Sequence, residues 1–125
     1  MIVVNGIELD FDITSPLDVK RYRDAGERMN EEGRKINLPA VAADDPAFLN
    51  AYVEMLNCEL RLFGDFLDDV FGEGVAEQLL GSNPSINKVN KVLDAFGKAI
   101  EKQGNEFGIT LQKYTPNRAA RRSKR

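Results

Sequence analysis

Seven apolar residues, Leu49, Val53, Leu56, Leu60, Phe63, Leu67 and Val70, recur at intervals of 4, 3, 4, 3, 4 and 3 residues. Such intervals keep side chains on one face of an α-helix turning every 3.6 residues. A second row, Phe48, Tyr52, Met55, Leu62 and Phe66, widens that face. A helix apolar over so broad an arc must be covered from several sides. The spacing therefore predicts a central helix over 46–71, started by Asp45-Pro46, with the remaining elements arranged around it.

Two more helices are predicted. Ser15 as cap, Pro16 at the first helical position and Asp18 three residues on open a helix over about 15–35. Its narrow stripe is Val19, Tyr22, Gly26, Met29 and Ile36, and Leu38-Pro39 stops it. Ser82-Asn83-Pro84 precedes a helix over about 85–107, whose stripe is Ile86, Val89, Leu93, Phe96 and Ile100. Lys88, Lys91, Lys98 and Lys102 lie mostly off that stripe. Between the second and third long helices, Gly72-Glu73-Gly74 forces a break, and a short helix over 75–80 ends at Gly81.

The chain opens differently. Ile2, Val3 and Val4 precede Asn5-Gly6, and then Ile7, Leu9, Phe11 and Ile13 alternate with Glu8, Asp10 and Asp12. Asn-Gly suits the two positive-φ positions of a tight hairpin turn, and the alternation puts apolar side chains on one face. The expected fold class is α+β and mostly α-helical: an N-terminal β-hairpin over 2–13 packed on a bundle of three main helices plus a short helix. At 125 residues one domain is expected, over 1–112, with a disordered basic arm over 113–125.

Several kinds of chemistry lack their residues. The chain has no histidine and one cysteine, which removes His-based triads, multi-cysteine zinc sites and an internal disulfide. Cys58 lies mid-helix beside Glu59, without a cationic neighbour to depress its pKa, and reads as a small apolar filler. Asp65, Asp68 and Asp69, with Glu73 and Glu77 beyond, could converge on a cation, but they lack calcium-loop spacing and read as a solvated acidic face. Gly72-Glu73-Gly74 follows a helix, not a strand, and lacks the third glycine of a dinucleotide site. The expectation is a non-enzymatic protein with no cofactor and no metal. No apolar run approaches the ~20 residues of a membrane span, and no secretory leader is evident, so a location in the cytoplasm is expected.

Charge is unevenly placed. Residues 1–112 hold all 20 acids and 11 of the 17 bases, whereas 113–125 hold six bases and no acid. Within this arm Arg118, Arg121, Arg122, Lys124 and Arg125 are the candidate partner-binding residues. The arm has three readings: docking on an acidic protein surface, a solubilising tail, or salt-sensitive nucleic-acid binding. The acidic body disfavours the last. A further partner site is expected wherever the three helices and hairpin fail to cover the central helix.

Three segments carry a family resemblance: Val4-Asn5-Gly6-Ile7-Glu8-Leu9-Asp10-Phe11-Asp12, the run from Asp68-Asp69-Val70-Phe71-Gly72 to Leu80-Gly81, and Tyr114-Thr115-Pro116-Asn117-Arg118-Ala119-Ala120-Arg121-Arg122. Together they resemble tail assembly chaperones of long-tailed phages and prophages of Gram-positive bacteria. The resemblance implies a small, mostly helical protein of the bacterial host cytoplasm. It would bind the tape measure protein, keep it soluble and help recruit tail tube subunits. It also implies self-association into a homo-oligomer in some members, a longer frameshifted product in others, and no catalytic residues. Two other readings stand beside it: a self-assembling structural or scaffold protein of the particle, and a small regulator binding nucleic acid through the arm.

Overall fold

The computed structural model describes residues 1–111, as a β-hairpin followed by four helices. The hairpin pairs β1 (Ile2–Val4) with β2 (Ile7–Leu9) in antiparallel register, Ile2 opposite Leu9 and Val4 opposite Ile7. Asn5 and Gly6 turn the chain at φ 51° and 77°, the twin positive values that a two-residue turn requires. The helices are α1 (Pro16–Gly33), α2 (Phe48–Phe71), α3 (Val75–Leu80) and α4 (Ile86–Phe107). The fold is thus the mostly helical α+β arrangement expected, and α2 touches each of the other three helices.

The helix starts follow local chemistry. The Ser15 hydroxyl accepts from the Asp18 amide at 3.3 Å, and the Ser85 hydroxyl accepts from the Lys88 amide at 3.2 Å. Both satisfy amides that a helix leaves without an intrahelical partner. Asp45-Pro46 behaves otherwise. The Asp45 carboxylate accepts from the Ala47 amide at 2.8 Å, two residues on, and α2 begins only at Phe48. The aspartate builds a turn ahead of the helix instead of capping it.

Strand pairing stops at Leu9, short of the expected Ile13, because β1 offers three residues to pair. Burial nevertheless keeps alternating through Phe11 and Ile13, and a side chain replaces the missing strand. The Gln103 amide group donates from Nε2 to the Phe11 carbonyl at 3.0 Å and accepts at Oε1 from the Ile13 amide at 2.7 Å. One residue of α4 thereby imitates a β-partner. Gln103→Ala is expected to cost about 1–3 kcal/mol, the loss for two partly buried backbone groups left unmatched. Urea unfolding measures the cost, and faster exchange of the Ile13 amide would locate it. At the next bend the Asp12 carboxylate accepts from the Thr14 hydroxyl at 2.6 Å and from the Thr14 amide at 2.9 Å. These bonds, the hydroxyl first, hold its pKa below the usual value. Their stabilising effect is present above the ordinary carboxylate range and fades as pH falls through the lowered value.

The core lies between the hairpin's apolar face, α1, α2 and α4. Phe96 is its hub: its ring centroid is 4.9 Å from that of Phe71, 5.6 Å from Tyr22, 5.9 Å from Phe11 and 6.4 Å from Phe66, all edge to face. Along α1 the buried row is Tyr22, Ala25, Gly26, Met29 and Gly33. Val19 and Ile36 are only half-buried, so the row is shifted from the expected stripe. At Gly33 a Cβ would sit 3.5 Å from the Leu62 Cδ2, so this end of α1 lies close against α2. At the end of α4 the chain folds back, with the Ile109 amide bonded to the Gly104 carbonyl at 2.8 Å and Gly108 at φ 66°. A Cβ on Gly104 would meet the Ile109 oxygen at 2.3 Å, so only glycine permits this reversal.

Candidate protein-docking surfaces

The 4-3-4-3 spacing along α2 is an a/d heptad seam, with Leu49, Leu56, Phe63 and Val70 at d and Val53, Leu60 and Leu67 at a. The structure divides this seam in two. Phe63, Leu67 and Val70 are buried, and α3 closes over the neighbouring Gly64, whose Cβ would lie 3.7 Å from that of Ala76. Leu56 and Leu60 are half-covered. Leu49 and Val53 are 70% and 52% exposed. The stripe is therefore core over its later turns, and the part of α2 that the other elements fail to cover is its first two turns. Gly33 at the end of α1 lies against Leu62, and Arg28 pairs with Asp69, so α1 packs along the later turns of α2 and leaves Leu49 and Val53 open. Phe48 and Tyr52 stack beside them, centroids 5.7 Å apart and planes 21° apart.

Glu59 lies outside this stripe. It falls between Met55 and Phe63 and is buried to 1% exposure. The apolar stripes did not announce this burial. The available signal was its position four residues from both Met55 and Phe63, in an otherwise apolar row. Cys58 is correspondingly exposed, which corrects its reading as a core filler.

Cys58 lines a groove of about 670 Å³ on the opposite side of α2 from the open seam, walled by the end of α1 and the segment that follows it. Met55, Leu62, Ile36 and Leu38 form its apolar floor. Its rim carries both signs, with Arg28, Lys35 and Arg61 against Glu32, Glu54 and Asp65. Arg28 pairs with Asp69, and Lys35 with Glu32. These are solvent-exposed pairs of small energetic weight.

Asp68 and Asp69, at the end of α2, turn to separate partners. The Asp68 Oδ1 accepts from the Ala76 amide at 2.9 Å, capping α3, whose own cap residue, Gly74, has no side chain to do so. Asp69 turns to Arg28. Among the described residues no group of three or more His, Cys, Asp or Glu side chains is placed to hold a metal ion. Asp68→Ala is expected to cost about 1 kcal/mol, the value of a lost N-terminal cap. Amide exchange should quicken over residues 75–80 while α1 stays protected. Arg118, Arg121, Arg122, Lys124 and Arg125 lie outside the described residues. No helix among the described residues is long and apolar enough to cross a membrane.

The architecture defines a small α+β protein with an open helical ridge and a groove on opposite sides of one helix. The chain belongs to DUF6673, a family of unknown function, whose profile matches residues 5–125. No curated protein and no solved structure matches it.

Proposed function

We propose that this protein is a non-enzymatic holding factor of the tail assembly chaperone type. It binds an apolar helical segment of the tape measure protein, keeps that protein soluble in the host cytoplasm and helps recruit tail tube subunits. The observation that carries this reading is the uncovered seam of α2. Its exposed positions Leu49 and Val53, followed by the half-covered Leu56 and Leu60, are spaced to receive a second helix bearing the same repeat. Burying an apolar ridge left open beside a packed core stabilises only a complex, which supports a partner at this face. The family resemblance in the hairpin, the 68–81 segment and the basic end supplies the identity of the partner.

Co-expression with the tape measure protein from the same genome tests the proposal. The expected result is a soluble complex on size exclusion, with the tape measure protein insoluble when made alone. Absence of a complex, with no gain in solubility, overturns it. A seam occupied by α2 of another copy, detected as a dimer that excludes the tape measure segment, would favour the self-assembling scaffold instead.

A further inference from the structure

A third surface lies between β1 and α4. In a two-residue hairpin the residues flanking the turn, here Val4 and Ile7, exchange both ladder bonds, and the next pair exchanges none. Val3, opposite Glu8, therefore directs its N–H and C=O away from β2. The sheet has two strands, β1 and β2, and no further strand among the described residues pairs with β1. Val3 is 58% exposed. Such an edge is a template for another strand unless something covers it. Alongside runs a cleft of about 480 Å³ between β1 and α4, lined by Met1, Ile2 and Val3 on one side and by Ala95, Ala99 and Lys102 on the other.

We infer that this cleft takes an extended acidic segment of a partner protein, which adds as a strand to β1 and lays its carboxylates against α4. Three observations fit this occupant. The outward N–H and C=O of Val3 match the donor and acceptor that an extended backbone presents. Ala95 and Ala99, one turn apart on α4, leave room for a side chain of the added strand. Lys98 and Lys102, also one turn apart, stand in the lining against a single acid of that wall, Glu106. Lys98 also meets Asp94 at 3.1 Å in a solvent-exposed pair, which a better-placed carboxylate exchanges at little cost. A second copy pairing through its own β1 is the poorer fit, because Met1-Ile2-Val3-Val4 brings no carboxylate to the lysines. This site is separate from the α2 seam and does not depend on the proposal made for it.

Titrating a capped seven-residue peptide of alternating valine and glutamate into the ¹⁵N-labelled full chain tests the assignment. The Val3 amide resonance should shift, and its hydrogen exchange should slow. Val3→Pro removes only the outward N–H, a change tolerated at a strand edge, and should weaken binding at least tenfold. Ala99→Leu fills the cleft without touching β1 and should do the same. Lys98→Glu with Lys102→Glu should invert the preference between the glutamate peptide and its lysine counterpart. No shift at Val3 with millimolar peptide, or equal binding by the Val3→Pro and Ala99→Leu variants and the parent, overturns the inference. A dimer of the free chain that dissociates on Val3→Pro overturns it too, by assigning the edge to a second copy.

Discussion

Phe96→Ala is expected to remove about 3–5 kcal/mol of folding stability, the range for deleting a buried aromatic ring. Phe96 reaches the rings of Phe11, Tyr22, Phe66 and Phe71, so its loss affects the hairpin extension, α1, α2 and α4 together. Edge-to-face pairs add a further increment to the area they bury. Against a total of roughly 5–15 kcal/mol for a domain, the variant would keep a small margin or none. Urea denaturation is the measurement, with Leu49→Ala as an exposed control that should stay within about 0.5 kcal/mol of the parent. A loss under about 1 kcal/mol for Phe96→Ala, well below the cost of a deleted core ring, would mean that these rings are not packed on one another.

The double variant Leu49→Asp with Val53→Asp should leave stability nearly unchanged and abolish capture of the tape measure protein. Both side chains are more than half exposed, so the folded chain loses little burial. Asp is also tolerated near a helix N-terminus, where the dipole favours negative charge. In the complex the same two positions would bury about 1.5–3 kcal/mol each. Losing even half of that total weakens binding on the order of tenfold to a hundredfold. The readout is the soluble yield of the tape measure protein on co-expression. Cys58→Asp, on the groove side of α2, is the control and should bind as the parent does. If Cys58→Asp destroyed capture while the double variant retained it, the groove would be the docking site and the seam reading would fail.

Residues that act within one turn of chain were legible directly. Ser15 caps its helix, Asn5-Gly6 turns the hairpin, and Gly72 and Gly81 end α2 and α3. Each depends on backbone geometry set by near neighbours, so no distant element is needed to predict it. The candidate site was legible only in part. Periodicity announced that α2 carries more apolar surface than a soluble helix exposes. It did not say which part stays open, because Leu49 and Leu67 obey one spacing while differing from 70% to 0% exposure.

By itself the sequence determined the element types, their order, the central place of α2 and the α+β class, all of which follow from spacing and turn chemistry. Tertiary structure decided what those elements cover. How the rest of the chain packs around α2 determined that Glu59 is buried, Cys58 exposed and Leu49 open. Where α4 passes the hairpin let Gln103 stand in for a strand beside Phe11 and Ile13, which are 92 and 90 positions away in the chain. The physical reason is common to both. A helical repeat records which residues share a face, but burial is a property of two surfaces, and the second surface comes from elsewhere in the chain.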